Sequence, residues 1–371
     1  MKKKIALLYG DGIGPLILKQ GVKVLNAVCE RFDHHFDYCV ADIGASAIEK
    51  YGNALPNSTL ESCQNSDATI IGAVGDPVHD NDISSKDTPD QGLLRLRKTL
   101  ELNYNVRPIR TFPTLLDISP LKRSYVKDVD FVIFRELSSG IYFGQQGRAD
   151  DKTAFDECRY TVEEIERVAR PAFEEAQKRK KKKLTLVDRA NVLETSRLWR
   201  EVVALIAKQY PEVEYNTLFI DHALAEMIMR PQQFDVILTT NLFGDLMSDA
   251  VGVITGSVRL IPSKSIGKNH VVFEPIYSAY PRGVRLSSAN PIAGMLSVAM
   301  LLEHFDLKTE ARTVRSAITR IMKRGIGTPD LNLKHNVSTA EMGDLVATYI
   351  TEGGDSISGI AETGGSLSTI I

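Results

Sequence analysis

Lys4-Ile-Ala-Leu-Leu-Tyr-Gly-Asp-Gly-Ile-Gly-Pro15 decides the fold class: a short apolar run breaks on glycines and gives way to the helix-period stretch Pro15–Glu30. A run of this length bounded by glycine reads as a buried strand feeding a helix. The basic start has only about five apolar residues before Gly10, too few for a signal segment or a membrane span. The glycine spacing is G-x-G-x-G, not the G-x-G-x-x-G of a dinucleotide fingerprint, so the motif by itself establishes only a tight strand-to-helix turn.

Outward from that unit the alternation continues. Strand-like runs at Ala68–Ala73, Phe131–Phe134, Leu184–Val187, Val236–Thr240 and Val271–Phe273 alternate with helix-period stretches such as Thr161–Lys178 and Ser196–Gln209. That pattern signals an α/β protein with a largely parallel sheet. At roughly 150 residues per domain, a chain of 371 residues divides into about two. Its 43% hydrophobic and 25% charged composition excludes disorder and small disulfide scaffolds.

The formal net charge is −2, with no global basic field for nucleic acid or an anionic membrane, and the expected partner is a small molecule. Cys29, Cys39, Cys63 and Cys158 form no C-x-x-C pair, so neither a zinc site nor a disulfide framework is indicated, and a reducing cytoplasm fits. The run Lys178–Lys183 lacks interleaved aromatics and reads as a solvated helix end. The Gly/Ser-rich end from Thr351 to Ile371 reads as a surface tail.

The sharpest chemical signal is Thr240-Asn-Leu-Phe-Gly-Asp-Leu-Met-Ser-Asp249, which follows a strand-like run. On a helix, Asp245 and Asp249 stand at i and i+4 and share one face, a hard-cation arrangement for Mg²⁺ or Mn²⁺. Asp221, expected to end a strand at Thr217–Ile220, is a candidate third ligand. On spacing alone, an N-cap at Asp245 and a solvated Asp249 remain equally open. Arg97, Arg107 and Arg135 flank strand-like segments, and converging guanidinium forks suit a polycarboxylate. Each arginine taken singly also reads as structural. Tyr142 lies among glycines that permit close backbone approach to a ligand, or it is a core or interface tyrosine.

Taken together, Gly10–Pro15, Leu96-Arg-Lys98, Asn105-Val-Arg-Pro108, Arg135-Glu-Leu-Ser-Ser-Gly-Ile-Tyr-Phe-Gly144, Val187-Asp-Arg-Ala-Asn-Val-Leu-Glu194, Asn241–Asp249 and Ala289-Asn-Pro291 resemble the isocitrate/isopropylmalate family of metal-dependent β-decarboxylating dehydrogenases. The resemblance runs from Lys4 to about Val346. Arg135-Glu-Leu137 looks like the isopropylmalate branch. Leu93 and Leu94 stand where isocitrate enzymes usually place Ser and Asn, and they offer an apolar wall to an alkyl group.

The resemblance implies a two-domain α/β fold with parallel or mixed sheets and a discontinuous first domain, residues 1–102 plus 256–371 on the cofactor side and 103–255 for substrate, metal and dimerisation. It implies oxidative decarboxylation of 3-isopropylmalate or a related 3-alkylmalate in a homodimer with shared active sites. In that reading Leu93, Leu94, Arg97, Arg107 and Arg135 bind substrate, and Asp221, Asp245 and Asp249 hold Mg²⁺ or Mn²⁺. Tyr142 protonates the enolate, with Arg189 and Asp221 contributed by the neighbour.

The sequence departs from the family pattern in two places. The lysine of the Asp-Lys-Ala-Asn motif is Arg189, a poor proton acceptor. The adenine loop is rebuilt as Glu274-Pro-Ile-Tyr-Ser-Ala-Tyr-Pro-Arg-Gly-Val-Arg285, with Tyr277 for a histidine and Arg282 for a ribose-binding aspartate. Arg282 opens NADP beside NAD. Asn290, Thr328, Pro329 and Asp330 keep the cofactor-side pattern, whereas Leu16 and Asp76 depart from it. The alternative implied by these changes is a family member without turnover, acting as a metal- and anion-binding or regulatory protein.

Overall fold

The computed structural model describes residues 1–80, 87–280 and 286–352. The strands that build the site are β1 (Lys2–Gly10), β2 (His35–Ala41), β3 (Ala68–Ala73), β4 (Leu102–Arg110), β5 (Asp130–Glu136), β6 (Gln146–Asp150), β7 (Thr153–Asp156), β8 (Lys183–Asp188), β9 (Glu214–Phe219), β10 (Val236–Thr239), β11 (Pro262–Gly267) and β12 (Val271–Pro275). All except β6 and β7 form one sheet in the order β2-β1-β3-β12-β11-β4-β5-β10-β8-β9.

Its two flanks are parallel, β2-β1-β3-β12 on one side and β5-β10-β8-β9 on the other. They meet through the antiparallel contacts β12-β11, β11-β4 and β4-β5. A change of strand direction between two wound halves leaves a crevice beyond the strand ends, the position where α/β sheets bind ligands. β6 and β7 pair as a separate, fully exposed hairpin.

Burial explains the strand pattern. β3 is buried along its whole length, and its run Ala-Thr-Ile-Ile-Gly-Ala is nearly uninterrupted because helices cover both faces of a parallel sheet. The first strand and the last described helix share one core, in which Ile5 and Leu7 of β1 join Val24 and Leu25 of the helix Gly14–Phe32 and Val346 and Ile350 of the helix Thr339–Glu352. Two further cores lie on opposite faces of the second flank, around Trp199 and Phe173 on one and Phe131 and Ile237 on the other.

The glycines of the first turn are required by packing. Gly10 has φ +71°, and a Cβ there would lie 2.1 Å from the Ala73 carbonyl oxygen; at Gly12 a Cβ would lie 2.1 Å from that of Ala279. Asp11 between them is buried and accepts backbone N–H bonds from Ala45, Ser46 and Gly75 at 3.0 Å each, tying three segments to the end of β1.

Each expected strand run falls on a strand of the sheet, but two local readings change. Asp221 does not end a strand: β9 stops at Phe219 and the helix Ile220–Met229 carries Asp221 in its first turn. The basic run at Lys178–Lys183 is only partly a solvated helix end. Arg179 caps the helix Val162–Lys178 and bonds Asp235 at 2.6 Å and Asp130 at 2.7 Å, and Lys181 donates to the carbonyls of Gln232 and Phe234. No described helix is long and apolar enough to cross a membrane.

Candidate active site

A cleft of about 590 Å³ opens where the two parallel flanks meet, lined by the ends of β3 and β12, the helix Pro89–Thr99, and residues of β4, β5 and the helix Asn241–Thr255. It gathers Leu93, Leu94, Arg97, Arg107, Arg135, Tyr142, Asp245, Asp249 and Tyr277. Residues far apart in sequence therefore converge, as the polycarboxylate reading requires.

The arginines are held in place by their neighbours. Arg107 projects from β4 into a buried site, where its Nε donates to Asn105 Oδ1 at 2.6 Å and its Nη1 to Ser248 Oγ. Asn105 is fixed in turn by donating to Ser263 and Ser265 of β11 at 3.2 and 2.9 Å. Arg135, next to last in β5, donates through Nε and Nη2 to Asn241 Oδ1 at 3.1 and 2.8 Å and through Nη1 to Asp245 Oδ1. Arg97 comes from the last turn of the helix Pro89–Thr99 and reaches Glu274 Oε1 at 3.2 Å. Burial disfavours the charged forms of Arg107 and Arg135 and pushes their pKa values down; Asp245 opposes this in both. A dianionic substrate would relieve the same penalty.

Asp245 and Asp249 lie on one face of the helix Asn241–Thr255, and both line the cleft. Thr240 holds the N-cap position, so the capping alternative for Asp245 is not what the helix uses. Burial opposes ionisation of Asp245, but Arg135, Arg107 and the Tyr142 hydroxyl outweigh it and hold its carboxyl below the usual range. The Tyr142 hydroxyl donates to Asp245 Oδ2 at 3.0 Å. Burial, followed by the Asp245 charge, pushes the phenol up, so Tyr142 carries its proton through neutral pH.

Asp221 and Arg189 lie away from this cleft. Arg189 Nη1 donates to Asp221 Oδ1 at 2.5 Å, and that bond foremost holds the exposed Asp221 carboxyl below its ordinary range. Among the described residues no three His, Cys, Asp or Glu side chains of one chain converge. The helix Asn241–Thr255 thus presents two carboxylates of the right hardness for Mg²⁺ or Mn²⁺ to the cleft, short of a full protein ligand set. Asp221 is not among the residues that line this cleft.

Asn290 and Asp330, expected on the cofactor side, meet: Asn290 Nδ2 donates to Asp330 Oδ2 at 3.1 Å, and Thr328 Oγ1 donates to Asp330 Oδ1 at 2.6 Å. Tyr277 turns its hydroxyl inward onto the Asn290 carbonyl and packs its ring against Ile13, Ile17 and Ala289. Ile13 N–H donates to the Ala279 carbonyl at 2.9 Å, which seats the loop after β12 on the Gly10–Gly14 turn. Arg282 lies outside the described residues.

Sequence reasoning missed three supports. Asn241, the fork under Arg135, is inconspicuous because its role depends on a strand in another part of the chain. Glu274 is legible only once β12 is placed beside the arginines. Arg259, 3.8 Å from Asp330, adds a cation beside Asn290 and Asp330.

The family model for isocitrate/isopropylmalate dehydrogenase matches residues 4–346. The 3-isopropylmalate dehydrogenase of Bacteroides fragilis (strain YCH46) is 46% identical over 352 residues, covering 94% of this chain and 99% of its own. That of Bacillus subtilis (strain 168) is 43% identical over 348 residues, covering 92% and 95%. A crystal structure of isocitrate dehydrogenase from Methylococcus capsulatus superposes with a TM-score of 0.84 at 32% identity, covering 94% of this chain and 99% of that one. The chain belongs to the isocitrate/isopropylmalate dehydrogenase family.

Proposed function

We propose that the chain is an oxidoreductase that oxidatively decarboxylates 3-isopropylmalate or a closely related 3-alkylmalate, as in leucine biosynthesis, within a homodimer whose active sites are shared. The observation that carries this reading is the convergence of Arg97, Arg107, Arg135, Tyr142, Asp245 and Asp249 on one cleft whose remaining wall includes Leu93 and Leu94. The relatives named as 3-isopropylmalate dehydrogenases support the choice of substrate.

In this mechanism Arg97, Arg107 and Arg135 bind the substrate carboxylates, and the two leucines receive the alkyl group. Asp245 and Asp249 of one subunit with Asp221 of the other would hold Mg²⁺ or Mn²⁺, while Asn290 and Asp330 would face NAD or NADP. When bound, the cation would supply positive charge to the 2-hydroxyl oxygen and to the enolate, and the nicotinamide would supply a hydride acceptor. Tyr142 holds a proton on its hydroxyl and delivers it to the enolate carbon. Arg189, beside Asp221, contributes positive charge near the 2-hydroxyl instead of a titrating base, so the hydroxyl proton passes to solvent water as the hydride leaves.

We also propose the division into residues 1–102 with 256–371 and residues 103–255, with the cleft between them. Exposed Ile228, Met229, Leu246 and Val253 on the packed helices Ile220–Met229 and Asn241–Thr255 support a second copy as the partner. The non-turnover alternative is not favoured, because relatives named as 3-isopropylmalate dehydrogenases match nearly the whole chain at 43–46% identity. The test is formation of reduced nicotinamide and CO₂ in equal amounts from 3-isopropylmalate with Mn²⁺, using NAD and NADP in parallel. Absence of both products would refute the reading.

A further inference from the structure

A second cavity of about 540 Å³ lies behind the arginine cluster, and Arg97 lines it as well as the cleft. Lys98, Arg167 and Lys268 line this second cavity and are exposed. Among the described residues none of the three forms an ion pair; Arg167 donates only to the neutral Asn103, at 3.2 Å. The lining carboxylates are Glu101 and Glu164, and Glu164 is committed to the Thr161 N–H at 2.8 Å as part of a helix cap. Four cations therefore face two carboxylates, one of which is already engaged.

The cavity has the size of a small-molecule site, about 300–1,000 Å³, and its lining cations outnumber its carboxylates. Three cations from three separate segments, held at one cavity without carboxylate partners, match a ligand with several negative oxygens better than a single carboxylate.

We propose that this cavity is a second anion site, taking a small polyanion of the phosphate-ester or pyrophosphate class, coupled negatively to the substrate cleft through Arg97. A ligand oxygen that draws the Arg97 guanidinium toward the second cavity removes it from Glu274 and from a carboxylate in the cleft. Coupling of this kind is reciprocal: substrate weakens the polyanion as much as the polyanion weakens substrate. The existence of the site does not depend on the proposed reaction, whereas the coupling rests on that reading of Arg97.

The test titrates the full chain with inorganic pyrophosphate in metal-free buffer at matched ionic strength, by calorimetry, against Lys268→Ala and Arg167→Ala. Neither residue lines the substrate cleft, and both side chains are exposed, so both variants should melt with the parent. The expected result is one saturable binding event, weakened at least about tenfold in each variant, the scale of one charge-assisted contact. Binding at parental strength in both variants, or no saturable binding in the parent, overturns the site. At fixed free Mn²⁺, pyrophosphate should also raise the KM for 3-isopropylmalate severalfold with kcat unchanged, and Lys268→Ala should abolish that rise. Pyrophosphate binding that leaves KM untouched overturns the coupling. A failure of turnover itself would count against the proposed reaction and leave the calorimetric result to judge the site.

Discussion

Asp245 accepts a hydrogen bond on each carboxylate oxygen from a different cleft residue, Arg135 Nη1 on Oδ1 and the Tyr142 hydroxyl on Oδ2 at 3.0 Å. One carboxylate thereby fixes the guanidinium proposed to bind substrate and the phenol proposed to donate a proton in register with each other. Loading a cation on Asp245 would compete with both, so metal binding and Tyr142 placement are coupled at this residue.

Replacing Asp245 with Asn should lower turnover by at least about a hundredfold by removing a proposed metal ligand. It should also cost about 1–3 kcal/mol of stability, because the buried Arg135 loses its counter-charge while the partly exposed carboxylate limits the effect. Steady-state rates and denaturant midpoints on the same preparation measure both. Full activity in the variant would remove Asp245 from the mechanism.

Arg189→Lys should leave kcat unchanged or raise it, since lysine keeps the charge beside Asp221 and adds a group able to release a proton. The pH–rate profile of the variant should gain a titrating limb absent from the parent. A fall as deep as that of Arg189→Ala would show that the guanidinium fork itself is needed.

Leu93→Ser with Leu94→Asn should reduce kcat/KM for 3-isopropylmalate by about 10–200-fold, the range for lost apolar contact with a branched alkyl group. Activity toward isocitrate should rise relative to that figure. If the ratio of the two substrates does not move, the leucines do not read the alkyl group.

Glu136 next to Arg135 gives a pH signature of folding. Burial raises its carboxyl from 4.5 to about 7, opposed by bonds from Ser138 and Ser139. The folded state therefore keeps a proton that the unfolded chain has released, so this contribution to stability is complete below 4.5 and is lost as pH rises to about 7. Glu136→Gln should flatten the stability difference measured between about pH 5 and pH 8. An unchanged difference would contradict the shift.

Much of this is legible in the sequence alone. The strands around Ile5, Ile70, Ile133, Leu186 and Ile237 are short apolar runs, and the i, i+4 pair Asp245 and Asp249 sits on a helix as its spacing requires. What was not legible is long-range. β4 and β11 join the two flanks antiparallel, and their sequences, interrupted by Asn105, Arg107, Ser263 and Ser265, look polar because those side chains bond one another inside the sheet. Arg179 read as part of a solvated run because Asp130 and Asp235, its partners, lie 49 and 56 residues away. Tyr277 stood for a cofactor-packing histidine, yet its hydroxyl is consumed by Asn290, a contact no local pattern announces.

The most direct test of a shared decarboxylating centre is subunit complementation. Asp245→Asn and Asp221→Asn should each be nearly inactive alone, since each lacks one proposed metal ligand. Unfolded and refolded together in equal amounts, half the dimers become mixed, and each mixed dimer holds one site with both substitutions and one with neither, giving about a quarter of parental activity. Recovery near that level is the expected result. Two inactive variants that dimerise together and recover nothing, or full activity in a monomeric parent, would contradict it.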